Sequence, residues 1–465
     1  MTIDTIPDDV LLEIFSFYVY EVKDADAWHM LAHVCRSWRN VVFISPRRLK
    51  LRLLCTNRRP VKEMLDIGPA LPIIIKDSAR MLQAKGADNI IAALEHRDRV
   101  CEIILWGSSS SLLERFVAMT QEPFPALTSL CLGSTDQFAP VIPDSFLGGS
   151  ARRLRSLVWA HIRFPALQEL LLSASHLVHL DLRNIPNSEY ISPEAMVACL
   201  SGMSRLKTFH LRSLSSRSGP DRTTQRPAVL TRNVLPALTL LGFQGASEYL
   251  EELVAQVDTP TLLTLSITFT GVTLCIPRLY QFINRTEGFK PSDRVVFDFY
   301  ATNIDLKFIP SNGFELSIRC RNLSGQVSSM AVVCRELSPL LSRVERLDLL
   351  GKCLDLQPGW QDVVDPMQWQ ELFHSFISVQ GLYVSKKLGP LISPALQALT
   401  DERATEVLPS LLYLFFEGFR PSGRVHEATK LFVTARQQSG FPVAVLRWVR
   451  ELDGYSEFGD WEVDD

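Results

Sequence analysis

A short leucine-rich template recurs along this chain between residues 100 and 416. Its form is L-x-x-L-x-L, with Val, Ile or Phe tolerated at the apolar places, as in LTSLCL (127–132). The first six steps between copies are 27, 27, 23, 29, 32 and 24 residues. This spacing is typical of a repeat array, in which each unit covers the apolar side of the unit before it. The copies begin at Val100, Leu127, Leu154, Leu177, Leu206, Leu238, Leu262, Val344, Val379 and Leu411.

Helix-like patterns separate the template copies, and two further strand-like runs at 295–300 and 314–318 fill the longest gap. The helical patterns cover residues 192–203, 247–257, 326–341 and 365–377. A strand followed by a helix, repeated many times, predicts an α/β solenoid with parallel strands on its concave face and helices on its convex face. Separate α/β domains or a doubly wound sheet would give a similar pattern. The persistence of the period over about three hundred residues favours the solenoid.

The template resembles that of leucine-rich repeats. Regular repeats of that family carry an Asn or Cys three residues after the third leucine, where the side chains form a hydrogen-bonded ladder. The residues at that place here are Thr135, Ile162, Ile185, Leu214, Ala246 and Lys352, so the ladder is absent. We therefore expect an irregular array. Residues 51–99, with apolar runs at 51–55 and 71–76, are interpreted as a linker with atypical capping repeats.

The first fifty residues predict short helices with more apolar surface than so small a unit can bury by itself. In residues 3–18, Thr5 is a capping residue, Pro7 fits the first helical turn, and Val10, Ile14 and Phe17 form one apolar stripe. Residues 27–43 carry a second helical pattern. These features are typical of a docking module whose cover is supplied by another polypeptide.

The run IPDDVLLEIF, followed by L-x-x-V-C-R-x-W-R-x-V-V, resembles the F-box over residues 3–47. The resemblance implies that the helices insert into a Skp-type adaptor, and through it reach a cullin. From Asp4 to the run at 69–75 the chain also resembles the expanded F-box families of mushroom-forming fungi. The spacer at 18–26 is longer than in many F-boxes. By motif position, the adaptor-binding residues would be Ile6, Pro7, Val10, Leu11, Ile14, Leu31, Val34, Cys35 and Trp38.

Some of these nine residues must pack the helices on each other, and the sequence does not divide the two groups. Trp38, near the centre of the motif, is the best candidate for a binding hot spot. The alternative is an ordinary helical hairpin packed on the chain's own C-terminal part. The domain organisation that we predict is an F-box at 1–50, a linker with capping repeats at 51–99, a solenoid at 100–450 and an acidic tail at 451–465.

Charge and cysteine spacing exclude several classes of function. The net charge is −3, which gives no electrostatic case for nucleic-acid binding, and no apolar run reaches the length of a membrane span. The acidic start predicts no secretory signal, and nine scattered cysteines predict reduced thiols in the cytoplasm or nucleus. No spacing of cysteines or histidines predicts a metal site, and no cofactor motif is present.

Two segments outside the motif are candidates for binding. The loop at 212–227 carries Arg212, Arg217, Arg222 and Arg226, which would suit a phosphorylated or acidic partner, although a solvated insertion is the simpler interpretation. The segment 451–465 has seven acids and no Lys or Arg, with Phe458 and Trp461 among them. It is interpreted as a solvated tail, with a short binding motif or aromatics folded back on the last repeat as alternatives.

We predict a non-catalytic substrate receptor of an SCF-type (Skp–cullin–F-box) ubiquitin ligase, in which the solenoid binds an unidentified target protein. The alternative is an interaction scaffold not coupled to ubiquitin transfer. A third hypothesis, an intrinsic ligase, would need a nucleophile such as Cys353, which stands in a Cys-x-Asp order with Asp355. A buried structural cysteine is the better interpretation of Cys353.

Overall fold

A computed structural model describes most of the chain. The described residues are 6–22, 27–45, 49, 51–56, 65, 70–78, 84–134, 140–212, 232–271, 274–289, 292–310, 313–352, 364–399, 405–418, 424–450 and 455–456. They divide into two compact units. Unit 1 holds residues 1–191 and 198–208, and unit 2 holds residues 192–197 and 209–465. The division falls inside the region that the sequence analysis assigns to one solenoid.

Unit 1 begins with three helices, α1 (Asp8–Val22), α2 (Ala27–Val34) and α3 (Arg36–Ile44). Asp8 and Asp9 lie in the first turn of α1, where carboxylates complement the positive end of the helix dipole. The sequence pattern predicts two or three short helices in the first fifty residues, with 27–43 as one helical segment; the structure has three, because that segment is broken in two. The break is at Cys35, whose extended backbone ends α2 and whose sulfur caps α3.

The rest of unit 1 alternates strands with helices. Its elements are β1 (Leu53–Thr56), β2 (Ile73–Ser78), α4 (Ala84–Leu94), β3 (Val100–Ser108), α5 (Ser110–Met119), β4 (Ser129–Ser134), β5 (Ser156–Ala160), α6 (Leu167–Ser173) and β6 (His179–Arg183). Two elements, α7 (Pro193–Ser201) and β7 (Thr208–Arg212), span the division between the units. Strands β1 to β6 pair in chain order, each parallel to the next.

Unit 2 continues the alternation with one insertion. Its elements are β8 (Asn233–Val234), β9 (Leu240–Gly245), α8 (Ser247–Ala255), β10 (Val257–Asp258), β11 (Thr264–Phe269), α9 (Pro277–Arg285), β12 (Arg294–Phe299), β13 (Asn303–Ile309), β14 (Phe314–Arg319), α10 (Leu323–Glu336), α11 (Ser338–Leu341), β15 (Arg346–Gly351), α12 (Pro366–Phe373), β16 (Gly381–Val384), α13 (Gly389–Gln397), β17 (Tyr413–Glu417), α14 (Arg424–Gln438), β18 (Ala444–Arg450) and β19 (Tyr455–Ser456).

The predicted fold class is confirmed, because N-terminal helices are followed by a large, mostly parallel sheet with helices, and the architecture is solenoid-like. Every copy of the leucine template coincides with a strand, and the apolar places alternate inward, as with Leu157 and Trp159 on β5 (both 0% exposed). The first template residue is buried as well, since Leu154, Leu177 and Leu206 are each at most 1% exposed. The template therefore marks side chains that only a neighbouring repeat can cover.

The second and third places of the template, which are both variable, carry a ladder of backbone hydrogen bonds. In consecutive repeats the carbonyl of the second template residue accepts two N–H groups from the second and third residues of the next copy, at 2.7–3.1 Å. The Thr128 carbonyl binds the amides of Arg155 and Ser156, and the Arg155 carbonyl binds those of Val178 and His179. This bond pattern fixes the register from repeat to repeat without constraining the side chains, which explains why those two places vary freely.

Within the body of the described sheet, strand β13 departs from the parallel order, and the sequence pattern did not predict it; at the sheet edge the two-residue β19 is also antiparallel. In unit 2, β11 pairs in parallel with β14, β13 lies antiparallel between β14 and β12, and β12 pairs in parallel with β15. The links on either side of β13 have three and four residues, at 300–302 and 310–313, too short for a parallel crossover. Gly313 in the second link has φ +80°, and a Cβ there would lie 1.7 Å from the Leu263 carbonyl oxygen.

Arginines replace the missing asparagine ladder at two places in unit 2. Arg285 of α9 donates to the carbonyls of Val254 and Val257 at 2.5 and 2.9 Å, and to Asp258 at 2.7 Å. Arg436 of α14, 0% exposed, donates to the carbonyls of Leu408, Pro409 and Leu411 at 3.0–3.3 Å. Burial lowers the pKa of both guanidinium groups. Arg285 satisfies carbonyls in the last turn of α8 and in β10, and Arg436 satisfies carbonyls of the loop that leads into β17.

Arg436→Met should lower the free energy of unfolding by about 2–4 kcal/mol, because the three loop carbonyls would lose their donor inside the protein. Lys430→Ala on the exposed side of the same helix is the matched control and should change stability by less than about 0.5 kcal/mol. Urea unfolding of the two variants measures the difference. Equal stability of both variants would contradict a structural role for Arg436.

Glu251 is a buried carboxylate that caps the neighbouring helix. It lies on α8, is 8% exposed, and accepts the backbone N–H groups of Arg278 and Leu279 at 2.8 and 2.7 Å, at the start of α9. Burial raises its pKa to about 7, although the two N–H bonds and the Arg278 charge act in the opposite direction and Glu336 adds to the rise. The Ile276 side chain offers α9 no cap of its own.

Because the pKa of Glu251 is higher in the folded than in the unfolded chain, its contribution to stability falls as pH rises from about 4.5 to about 7. The advantage of wild type over Glu251→Gln in free energy of unfolding should therefore shrink by about 1–3 kcal/mol between pH 5 and pH 8. Urea unfolding at the two pH values measures this. Parallel pH dependence in wild type and variant would show that Glu251 does not titrate in this range.

Candidate functional site

Helix α1 has one face inside the protein and one face outside. Leu11, Leu12 and Phe15 are 3%, 7% and 0% exposed. On the same helix Val10 and Ile14 are 45% and 49% exposed. Phe17, one turn further on, is 68% exposed, so these three side chains form an apolar stripe at i, i+4 and i+7. The wide apolar face seen in the sequence is therefore divided into a packing half and an uncovered half.

Helix α2 is divided in the same way. Trp28, Leu31 and Ala32 are buried, whereas Met30 and Val34, four residues apart, are 66% and 57% exposed. At the end of α3, Ile44 is 78% exposed. We call the six exposed apolar side chains of the three helices the apolar stripes; they are Val10, Ile14, Phe17, Met30, Val34 and Ile44. Large apolar side chains uncovered this densely within some forty residues mark a site of interaction.

The motif V-C-R-x-W-R holds the helices together. The Cys35 sulfur accepts the Trp38 backbone N–H at 3.4 Å and caps α3. The Trp38 ring packs against Phe15 of α1, with centroids 4.7 Å apart. Arg39 donates through Nε to the Ala32 carbonyl in the last turn of α2, at 3.0 Å. These contacts join all three helices, so the most recognisable part of the sequence motif serves the fold.

Trp28 connects the helices to the rest of unit 1. Its indole N–H donates to the Arg52 carbonyl at 3.0 Å, just before β1. Its ring stacks on His29 and meets Phe43 edge-on, at centroid distances of 3.7 and 5.9 Å. The chain's own body thus covers the packing half of the helices, as the hairpin alternative requires, but among the described residues it leaves the apolar stripes uncovered.

The nine predicted adaptor-binding residues therefore fall into three groups. Pro7, Val10, Ile14 and Val34 are exposed, Ile6, Cys35 and Trp38 are half-buried, and Leu11 and Leu31 are buried inside the chain. Leu11 and Leu31 pack the helices because they lie on the inner faces of α1 and α2. Motif position did not identify Phe17, Met30 and Ile44. The i, i+4, i+7 spacing of Val10, Ile14 and Phe17 was the available signal for the first of these.

The other candidate residues are only partly described. Arg212 is half-buried at the end of β7, and Arg217, Arg222 and Arg226 lie outside the described residues, as does Cys353. Burial raises the pKa of the Cys131 and Cys199 thiols to about 11, and that of Cys334 further still. These three thiols are therefore protonated at neutral pH and are poor nucleophiles.

Two classes of site were searched for within the described part of the chain. In these ranges no group of three or more His, Cys, Asp or Glu side chains could hold a metal ion. None of the helices that the structure describes has both the length and the apolar character needed to cross a bilayer.

The F-box-like family matches residues 3–47 of this chain, which are the residues of the three helices and their flanks. A search of the curated proteins finds no match to the chain. The chain therefore carries an F-box-like domain at its N-terminal end.

Two neighbouring residues of α1 test the division of its faces. Phe15→Ala should destabilise the three helices by about 3–5 kcal/mol, because it removes a fully buried ring in contact with Trp38. Ile14→Ala removes exposed surface and should cost less than about 1 kcal/mol. Hydrogen exchange of the α1–α3 amides measures both. Similar loss of protection in the two variants would show that α1 is packed differently.

Proposed function

We propose that this chain is a non-catalytic substrate receptor of an SCF-type ubiquitin ligase, acting in the cytoplasm or nucleus. An F-box domain generally binds the Skp-type adaptor of such ligases, and residues 3–47 match that domain. The observation that carries the proposal is the set of apolar stripes within this match, which are uncovered in the described chain. The adaptor supplies the missing cover.

The size of the stripes is adequate for stable docking. Complete burial of one large apolar side chain contributes about 1.5–3 kcal/mol, and because the six side chains are 45–78% exposed, covering all of them supplies roughly 5–11 kcal/mol before the cost of association. Trp38, proposed as a hot spot on sequence grounds, is half-buried against Phe15 and contributes through the shape of the domain. The adaptor-facing residues that we propose are therefore Pro7 and the apolar stripes.

In the proposed complex, the solenoid-like region binds a target protein, and the adaptor joins the receptor to a cullin that brings the ubiquitin-conjugating enzyme. The chain's contribution to the reaction is proximity, which raises the effective concentration of target lysines near the ubiquitin thioester. No residue of this chain forms a covalent intermediate in this scheme. Arg212, Arg217, Arg222 and Arg226 are a second proposed contact, for an acidic or phosphorylated target.

The joint variant Val10→Asp, Ile14→Asp, Val34→Asp should weaken binding of a Skp-type adaptor at least about 100-fold, because three carboxylates would be buried in an apolar interface. All three side chains are exposed, so folding is preserved. The matched control is Leu172→Asp, Leu263→Asp, Ile377→Asp, three apolar residues that are 51%, 63% and 53% exposed elsewhere in the chain. Co-purification with the adaptor measures the effect, and equal recovery from both variants would contradict the proposal.

The same preparation separates the competing functions. Adaptor recovered together with a cullin supports the ligase receptor, whereas adaptor recovered without a cullin supports an interaction scaffold. Cys353→Ala should leave target ubiquitination unchanged, because the catalytic cysteines belong to other subunits. Loss of ubiquitination in that variant, with adaptor binding intact, would favour the intrinsic ligase instead.

A further inference from the structure

The sheet of unit 2 has a second face, opposite its helices, with an aromatic cluster of its own. On β15 to β18 the side chains that alternate with the inward leucines include Asp348, Tyr383, Phe415 and Trp448. Tyr383 stacks on Phe415 with centroids 4.1 Å apart and meets Trp448 edge-on at 5.7 Å. We call this side of β12 and β15–β18 the outward face.

Cations cover two acids of the outward face, Asp348 and Asp298, while a third acid of this face, Glu417 on β17, accepts the Lys386 backbone N–H at 3.0 Å. Asp348 is 0% exposed and is bound by Arg294 and Arg346 at 2.5 and 2.9 Å. The Asp298 side chain is 3% exposed and is bound by Lys307 and Lys352 at 3.2 and 2.8 Å. The four cations are 15–32% exposed, so the carboxylates lie at the base and the positive groups lie on top.

Two more lysines extend this positive layer along the ends of the strands. Lys386 and Lys387 follow β16 after one residue, Ser385, and are exposed. Next to them, Tyr413 is 46% exposed and Phe415 is half-buried, so aromatic ring surface remains accessible beside the cations. A ligand that matches the outward face therefore carries several carboxylates interspersed with aromatic side chains.

The chain contains such a ligand. Residues 457–465 hold five acids, two aromatics and no Lys or Arg. They follow β19, which turns back and pairs antiparallel with Val449 and Arg450 at the end of β18. Nine extended residues reach about 30 Å, and the five strand spacings from β19 to β12 amount to about 24 Å, so the segment is long enough to cross the face.

We propose that residues 457–465 dock on the outward face of unit 2, with their carboxylates on Lys352, Lys386 and Lys387 and with Phe458 and Trp461 against the accessible rings of Tyr413 and Phe415. The chain thereby supplies its own ligand for this face. An external acidic and aromatic segment binds there only by displacing the tethered one. This interaction is independent of the adaptor and of the proposed ligase function.

A labelled peptide tests the proposal. A fluorescent peptide of residues 455–465 should bind the chain ending at Ser456, measured by fluorescence anisotropy. It should bind the full chain at least about tenfold more weakly, because the tethered copy competes at a high effective concentration. Failure to bind the shortened chain, or equal binding to both chains, would overturn the proposal.

The site is mapped with matched charge reversals in the shortened chain. Lys352→Glu, Lys386→Glu, Lys387→Glu together should abolish peptide binding, whereas Arg335→Glu, Arg343→Glu, Lys430→Glu, exposed residues on or beside the helices of unit 2, should preserve it. A peptide with its acids replaced by Asn and Gln, and one with Phe458→Ser and Trp461→Ser, should each bind at least about tenfold more weakly to the unaltered shortened chain. Unchanged binding of both peptides, or equal effects of the two triple variants, would overturn the assignment of the site.

Discussion

The fold depends on one constraint: each strand–helix repeat exposes an apolar side that only the next repeat can cover. The leucines of the template are buried between neighbouring repeats. The carbonyls at the strand starts, each of which accepts two N–H groups from the next repeat, keep adjacent repeats in register. The inserted strand β13 obeys the same constraint. Because β14 pairs in parallel with β11 and β12 pairs in parallel with β15, the antiparallel strand between them leaves both neighbours with the partners that a parallel array requires.

Much of this architecture follows from the sequence, since periodic burial leaves a periodic pattern. All ten template copies, the two runs at 295–300 and 314–318, and the early runs at 51–55 and 71–76 coincide with strands. Strand β13 carries the polar–apolar alternation of a strand, with Ile304, Leu306 and Phe308 buried, but its antiparallel place is set by short links and by Gly313, not by the repeat. Cys35 is a similar case. A cysteine is seldom a helix cap, and its position within one apolar helical pattern concealed the break between α2 and α3.

The F-box-like segment shows why a sequence motif and an exposed apolar surface need not coincide. Cys35, Trp38 and Arg39 are the recognisable letters, and each makes a contact within the three helices. The exposed apolar side chains alternate with buried ones, as Ile14 does with Phe15, and nothing in composition separates the two. Only the position of each residue around the helix axis separates them. That position can be assigned to the inner or the outer face once the inner face of the helix is known. This is why the sequence predicted the domain, whereas its exposed apolar residues were identified only from the structure.

The apolar stripes and the outward face of unit 2 differ in physical character, and the difference bears on how each would be used. The apolar stripes would gain their affinity from burial of surface, which salt hardly affects, and this suits a constant partner such as an adaptor. On the outward face of unit 2, cations lie above carboxylates that already neutralise much of their charge. The cations therefore attract an acidic ligand only weakly, so binding is salt-dependent and moderate in strength. A surface of that kind suits ligands that exchange, because a tethered acidic segment can hold it and still yield to a better one.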